Sequence, residues 1–188
     1  MSNRSTLLEH ALALFAERGY DAVGVKEICE AASVTKPTLY HYFGSKRGLL
    51  LTLVRERYAP LRDELRAAAR YDGDLPGTLA RVVRAWFAFA ERDPRMARLV
   101  LSLWFASPAS EAVQVTGPCA AEQVRMLEGM FAAAAQNHGN MRGRQRAYAL
   151  SLLGAIHSYA GLALNGGGTL DDSVARQVVH QFSHGIYS

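Results

Sequence analysis

Residues 25–43 read VKEICEAASVTKPTLYHYF, and the fold of the N-terminal part of the chain follows from them. The first half has the spacing of a short helix, which breaks at Ser33-Val34. Thr35 is a favourable N-cap for a second helix, and Pro37 falls in its first turn, where a missing N–H costs nothing. The stretch therefore predicts two short helices joined by a tight turn, which is the sequence form of a helix-turn-helix.

A supporting helix is predicted just before this stretch. Apolar residues recur at helical spacing from Leu7 to Ala16, and Gly19 is expected to end the helix as a left-handed cap. Within the stretch, Ile28 and Leu39 are expected to pack the two short helices together. The side chains left outside on the second short helix are rich in hydrogen-bond donors and include no acid: Lys36, Thr38, Tyr40, His41 and Tyr42.

The charge pattern around the second short helix favours an anionic partner. Between Glu30 and Pro60 the only acid is Glu56, whereas cations occupy five positions. Exposed helices usually carry both signs, so an acid-free surface is typical of a nucleic-acid binder. Lys46 and Arg47 fall in the first turn of the next predicted helix, where the helix dipole disfavours cations unless a phosphate binds there. The alternative is that these long side chains bend into solvent at negligible cost.

Composition limits the classes of protein that remain. With 188 residues, 49% hydrophobic and 20% charged, the chain is globular, and its net charge of +4 permits an anionic partner without requiring one. The N-terminus lacks the apolar core of a signal peptide, and no stretch approaches the roughly 18 apolar residues of a membrane span, so a cytoplasmic protein is expected. Cys29 and Cys119 are too few and too far apart for a zinc framework or a disulfide scaffold. No phosphate loop, nucleophile elbow or metal cluster appears, so the sequence predicts neither an enzyme nor a cofactor.

Helical periodicity continues through the rest of the chain, without the alternation of a strand. We predict an all-α protein of about nine helices, with a three-helix DNA-binding domain at 1–45 and a larger helical domain at 46–188. A long helix at 46–70 connects the two domains, and a linker follows at 71–76. The predicted helices beyond it are 76–92, 95–106, 118–136, 142–164 and 169–187, of which the third begins at Gly117-Pro118 and the last at a capping box formed from Thr169.

The first fifty residues resemble the DNA-binding signature of the tetracycline-repressor (TetR) family. The resemblance rests on Gly19-Tyr20-Asp21-Ala22, on Val25-Lys26-Glu27-Ile28, and on the run from Ala32 to Lys46. It implies a dimeric transcriptional regulator whose remaining helices bind an effector and form the dimer. It also implies the residues that meet bases or phosphates of double-stranded DNA, namely Val25, Lys26, Thr35, Lys36, Pro37, Thr38, Tyr40, His41, Tyr42 and Lys46.

The chain departs from the family pattern just before its second helix. The family commonly has Ser or Thr there, and this chain has Gly24. A hydroxyl contact to a phosphate is therefore lost, which leaves the backbone N–H groups and Lys26. For Tyr40 and Tyr42, packing against the first helix remains the alternative to DNA contact.

Small residues form a stripe on the predicted helix at 142–164, which is apolar almost all round and needs cover on two sides. The last predicted helix carries a second apolar stripe. By resemblance, these helices form a four-helix bundle across a two-fold axis, which would place two recognition helices roughly 34–36 Å apart on a palindromic site. Packing of the stripes within one chain is the alternative. The predicted interface residues are Ser151, Gly154, Ala155, Ser158, Gly161, Val174, Val178 and Phe182.

Aromatic and methionine side chains concentrate between residues 76 and 136. Such side chains line adaptable apolar pockets, and they fill ordinary cores just as often. By resemblance this region holds a pocket for a small apolar or amphipathic effector, with His157 and Tyr159 of the predicted helix at 142–164 as possible polar handles. The candidates are Trp86, Phe89, Met96, Leu103, Trp104, Met126, Met130 and Tyr159. For His157, a core or interface position is the favoured alternative.

The resulting hypothesis is a homodimeric repressor that a small-molecule effector releases from a palindromic operator. The alternative is a DNA-binding dimer whose C-terminal domain is only a dimerisation scaffold.

Overall fold

The computed structural model describes residues 2–138 and 141–185, which contain helices and no strand. The predicted all-α class is confirmed. Nine helices follow one another in this part of the chain: α1 Asn3–Arg18, α2 Val25–Ala31, α3 Lys36–Phe43, α4 from Lys46 to Ala68, α5 Leu75–Arg92, α6 Pro94–Trp104, α7 Glu111–Ala134, α8 Gln145–Leu164 and α9 Asp172–His184.

Two compact units make up the chain. The first comprises Met1–Ala59 and Arg95–Pro118, and the second comprises Pro60–Pro94 and Cys119–Ser188. The first unit therefore holds α1 to α3, the start of α4, most of α6 and the start of α7. The second unit holds the rest of α4 and α7 together with α5, α8 and α9.

In the first unit, α1 packs against α2, α3 and the first turns of α4. The helix buries the apolar face that its spacing predicts, including Leu7, Leu12 and Phe15. As predicted, Gly19 ends α1 with a positive φ of 81°, and its N–H donates to the carbonyl of Phe15 at 3.0 Å. Leu39 from α3 is fully buried in the same core.

The turn between α2 and α3 depends on a residue in the left-handed region. Ser33 has a φ of 53° there, and the following Val34 N–H donates to the carbonyl of Cys29 at 3.0 Å. Thr35 stands at the N-cap of α3 as predicted, but its hydroxyl lies 2.9 Å from the Thr38 hydroxyl and does not cap a backbone N–H. The turn is therefore set by backbone conformation rather than by a side-chain cap.

The end of α3 and the start of α4 approach each other closely at Gly48. Ser45, a residue type that N-caps helices well, is the N-cap of α4, and its hydroxyl accepts from the Gly48 N–H at 2.9 Å. A Cβ placed on Gly48 would lie 1.9 Å from the carbonyl oxygen of Phe43, a distance that no side chain tolerates. Only glycine permits this approach.

α4 is continuous but not regular. It consists of α-helical turns at Lys46–Leu53, a π-helical stretch at Val54–Tyr58 and further α-helical turns at Ala59–Ala68. Pro60 follows the stretch after one residue, Ala59, and a proline inside a helix removes one N–H and crowds the carbonyl four residues earlier. The wider π turn accommodates the ring, which is a common cause of such irregularities.

Two predicted helix starts are wrong. α7 begins at Glu111 and runs through Pro118, because Ala112 and Val115 are buried at helical spacing before the proline. α9 begins at Asp172, since Asp171 is its N-cap and accepts from the N–H groups of Ser173 at 2.8 Å and Val174 at 3.1 Å. Thr169 instead donates its hydroxyl to Asp171 at 2.8 Å. The predicted end of the last helix at Tyr187 lies outside the described residues.

The core of the second unit is centred on α5, along which α8 and α9 pack. Trp86 is fully buried, and its indole N–H donates to the side-chain oxygen of Gln123 at 3.1 Å. The rings of Phe89 and His157 lie 5.7 Å and 4.9 Å from the Trp86 ring. His157 is thus a core residue, as expected.

α8 is long and apolar enough, by length and composition alone, to cross a membrane. Core helices of globular proteins meet the same criterion. α8 buries Leu152, Leu153 and Ile156 within the second unit, which is what a core helix does.

Burial lowers the pKa of His157 to about 4, below the 6.5 of an ordinary histidine. Because the unfolded chain binds this proton first, the contribution of His157 to stability is present at neutral pH and is lost as the pH falls. We expect this residue to lower the free energy of unfolding by about 2 kcal/mol between pH 7 and pH 5. Urea unfolding of the wild type and His157→Gln at both pH values measures the difference, and equal pH dependence in the two proteins would contradict it.

Candidate nucleic-acid interface

One side of α3 is buried and the other faces solvent. Leu39 and Phe43 are buried against the neighbouring helices, while Tyr40 and Tyr42 remain 48% and 42% exposed. For these tyrosines the structure does not favour the alternative of packing inside the core. The remaining predicted contacts on and before α3 are also at the surface, with Thr35, Lys36, Pro37 and His41 exposed and Thr38 half-buried.

The cations near α3 differ in whether an acid neutralises them. Glu56, the only acid between Glu30 and Pro60, pairs with Arg4. Lys36 and Arg47 are exposed, and neither forms an ion pair with any residue that the structure describes. The surface around α3 therefore keeps a positive charge suited to a phosphate backbone.

Lys46 is engaged within the protein. Its ammonium donates to the carbonyls of Tyr20 at 3.1 Å and Val23 at 3.0 Å, and it lies 4.0 Å from the centre of the Tyr20 ring. A lysine held in this way fixes the loop between α1 and α2 to the start of α4. These bonds give Lys46 a positioning role within the first unit, and its phosphate contact stays a prediction.

Gly24 stands at the N-cap of α2 in an extended conformation that any residue adopts, with a φ of −92°. Its N–H donates to the Glu27 carboxylate at 2.9 Å. This bond, followed by the Arg18 guanidinium, lowers the pKa of Glu27. Val25 is half-buried, and exposed Lys26 lies 3.7 Å from Glu30 in a surface pair of little strength. Lys26 is thus available to an anion.

The residues predicted to form the dimer interface fall into two groups, one on α8 and one on α9. Ser151, Gly154 and Ser158 lie on an exposed side of α8, with Ala155 and Gly161 half-buried beside them. Leu150 and Leu162 are 43% and 55% exposed on the same side.

The residues of the second group, on α9, are more enclosed. Val178 is buried in the core where α9 packs on α5, and Val174 and Phe182 are half-buried. The Phe182 ring lies 5.9 Å from that of Phe131 and 6.4 Å from that of Tyr148. For Val178 the structure favours the alternative of packing within one chain.

The predicted pocket residues are divided between the two units. Trp86, Phe89, Met126, Met130 and Tyr159 belong to the second unit, and Met96, Leu103 and Trp104 belong to the first. Among them Trp86, Phe89, Met96 and Met130 are buried, and the other four are half-buried. For the buried four the structure favours the core alternative.

Three cavities within the second unit are lined by other residues. The most aromatic has a volume of about 230 Å³ and is lined by Leu75, Leu79, Phe131, His138, Met141, Tyr148, Phe182 and Ser183. Two shallower ones, of about 410 and 560 Å³, lie beside the loop that follows α8 and between α7 and the start of α8. In residues 2–138 and 141–185, no group of three histidine, cysteine or acidic side chains is placed to hold a metal ion.

Sequence reasoning suggested a phosphate beside Lys46 and Arg47, in the first turn of a helix, but it assigned no site role to Tyr20. No local signal indicates Tyr20, since its hydroxyl partner is Glu111, which lies 91 positions further along the chain.

Comparison with known proteins agrees with this arrangement. The profile of the family described as bacterial regulatory proteins, tetR family, matches residues 7–53. The chain is 31% identical over 187 residues to the HTH-type transcriptional activator FasR of Mycolicibacterium smegmatis, which covers 97% of this chain and 81% of the relative. It is also 44% identical over 54 residues to the HTH-type transcriptional repressor KstR2 of Mycobacterium tuberculosis, covering 29% of this chain and 27% of KstR2.

The fold is shared with solved structures. The transcriptional regulator FadR of Bacillus subtilis, solved in complex with stearoyl-CoA, matches with a TM-score of 0.77 at 20% identity, covering 97% of this chain and 99% of FadR. Since the resemblance in sequence extends over nearly the whole chain, through both the helix-turn-helix and the helices beyond it, the protein belongs to the tetR family of DNA-binding transcriptional regulators.

Proposed function

We propose that the protein acts as a cytoplasmic homodimeric repressor without enzymatic activity. It binds a palindromic operator through two copies of α3, and a small amphipathic effector releases it. Residues 1–45 are the DNA-reading part and residues 46–188 the part that senses the effector and forms the dimer. The observation that carries the proposal is the exposed, acid-free side of α3, held in place by buried Leu39 and Phe43.

Base contacts and phosphate contacts come from different residues on this surface. His41 and Tyr40 project from the exposed side of the helix that enters the major groove, so they are placed for base edges. Lys36 and Arg47 have no acid to neutralise them among the described residues, which suits them to phosphates. Phosphate contacts fix the register, and base contacts supply the sequence preference.

The exposed side of α8 supports the dimer. Leu150 and Leu162 are large apolar side chains left in solvent, and small residues lie between them at helical spacing. A Cβ on Gly154 would have no neighbour within 4 Å, so a second helix has room to approach closely. The part of α9 open to a partner is polar, with Gln177, His180 and His184 exposed.

Fatty acyl thioesters are the effector class that the comparisons favour. FadR of Bacillus subtilis shares the fold and binds stearoyl-CoA. The aromatic cavity of the second unit, of about 230 Å³, has room for a short apolar segment of such a ligand but not for a whole stearoyl chain. An effector of this kind releases DNA only if it binds more tightly to a conformation that does not fit the operator.

A dimerisation scaffold without a ligand is the second candidate. It is favoured by the complete burial of Trp86, Phe87 and Phe89, which together fill the interior around α5. In that case the second unit stabilises the dimer and senses nothing.

Selection of bound sequences from a random DNA pool, with and without stearoyl-CoA, tests the proposal. We expect enrichment of a palindrome whose half-sites lie about one helical turn apart. Stearoyl-CoA is expected to weaken binding to this palindrome by at least about fivefold, the lower range of allosteric coupling, whereas free CoA is the control. Enrichment without any response to stearoyl-CoA would favour the scaffold, and no enrichment would refute specific DNA recognition.

Gly24→Ser should strengthen DNA binding. Serine fits, because a Cβ at this position would meet only a Glu27 carboxylate oxygen at 3.6 Å. Its hydroxyl would supply the phosphate contact that the family pattern has and this chain lacks. We expect the dissociation constant for the selected operator to fall by roughly three- to tenfold, the effect of one hydrogen bond of ordinary net strength. Gly24→Ala adds the Cβ without the hydroxyl and should leave the affinity unchanged; an equal gain in both variants would contradict the contact.

Gly154→Glu should separate the dimer without harming the monomer. The new side chain has open space within its own chain but would carry a charge into the apolar contact between two copies of α8. Sedimentation should then report one chain of 20.5 kDa. Gly129→Glu makes the same change at another open helical glycine and should remain dimeric. A Gly154→Glu protein that keeps the mass of two chains would place the interface elsewhere.

A further inference from the structure

Tyr20 is held from several sides at the centre of the first unit. Its side chain is 2% exposed, and its ring lies 5.0 Å from that of Phe15. The Lys46 ammonium lies over the same ring and binds the Tyr20 carbonyl. The hydroxyl donates to the carboxylate of Glu111. Phenylalanine would provide the same ring packing, so packing alone does not account for the hydrogen bond between the Tyr20 hydroxyl and Glu111.

The two partners of Tyr20 connect different parts of the first unit. Glu111 is in the first turn of α7, a helix that continues into the second unit from Cys119. Lys46 begins α4 and also binds the carbonyl of Val23, the residue before the N-cap of α2. One tyrosine therefore joins the start of α7 to the starts of α2 and α4.

We propose that Tyr20 and Glu111 are positioning residues for DNA recognition, whose hydrogen bond lets the start of α7 fix the loop between α1 and α2 and, through Lys46, the N-termini of α2 and α4. This inference rests on the proposed function, because it requires a specific operator. Helices that are fixed before binding do not have to be ordered at the moment of binding, so specific affinity is higher. A displacement of the first turn of α7 would break the bond and release the loop.

The charges around the bond agree with this arrangement. Burial, followed by the bond to Glu111, raises the pKa of Tyr20, so the hydroxyl stays a donor throughout the neutral range. Glu111 stands in the first turn of α7, where a helix favours negative charge. The Glu111 carboxylate accepts from the Tyr20 hydroxyl and the Lys46 ammonium lies over the ring, so two charges of opposite sign hold the side chain in place.

The test compares Tyr20→Phe, Glu111→Ala, Glu111→Gln and the double variant Tyr20→Phe/Glu111→Ala. Operator binding, binding to an unrelated duplex and the thermal midpoint are measured for each. We expect Tyr20→Phe and Glu111→Ala each to weaken operator binding by about tenfold, with binding to the unrelated duplex changed less than about twofold, since only the register of the helices is lost. The double variant should match the single variants, and Glu111→Gln, whose amide oxygen still accepts, should retain most of the operator affinity.

Tyr71→Phe is the matched control. It removes a tyrosine hydroxyl in the second unit, which donates to the Gly73 carbonyl at 3.2 Å and accepts from the Asn137 amide at 3.1 Å. Operator binding should be unchanged in this variant. Equal losses of operator and unrelated binding in Tyr20→Phe, or a lower thermal midpoint with unchanged specificity, would show a purely structural bond and overturn the proposal. A wild-type protein that selects no operator would instead refute the proposed function.

Discussion

The carbonyl oxygen of Phe43 occupies the space that any side chain at position 48 would need. The last turn of α3 and the first turn of α4 approach each other only because Gly48 has no Cβ. α3 has eight residues, which is too few for a helix to be stable in water by itself. Its orientation therefore comes from this approach and from the burial of Leu39 and Phe43. The surface of α3 that we propose to read DNA depends on contacts made by the opposite side of the helix and by its C-terminal end.

Local signals were enough to predict the helix-turn-helix. The glycine ends, the N-cap at Ser45 and the spacing of buried residues in α1 each act within a few positions of the chain, and each is present in the structure. The carbonyl partners of Lys46 could not be predicted from local signals. A cation in the first turn of a helix looks the same in sequence whether its partner is a phosphate or a carbonyl. Here the carbonyls belong to Tyr20 and Val23, on a loop that periodicity does not bring near.

In the second unit, too, local patterns did not predict which residues a helix contacts. An apolar stripe predicts that one side of a helix is covered, but it does not say by which chain. On α8 the small residues face solvent, while on α9 Val178 is enclosed by its own chain. Gly117-Pro118 looked like a helix start because proline favours the first turn, yet the apolar residues before it extend α7 back to Glu111. In the same way, Trp86 and Met130 have the composition of a pocket and the burial of a core.

The prolines have a mechanical consequence. The chain passes between its two compact units at Pro60, Pro94 and Pro118, and so every passage is marked by a residue without an N–H. In α4 and α7 the missing N–H removes one backbone hydrogen bond from the helix. Pro94 stands at the first position of α6, where the N–H has no partner within the helix in any case. A helix bends most easily where one of its backbone hydrogen bonds is missing. Tension along α4 or α7 would therefore be relieved first at Pro60 and Pro118, whereas Pro94 takes no hydrogen bond away from its helix.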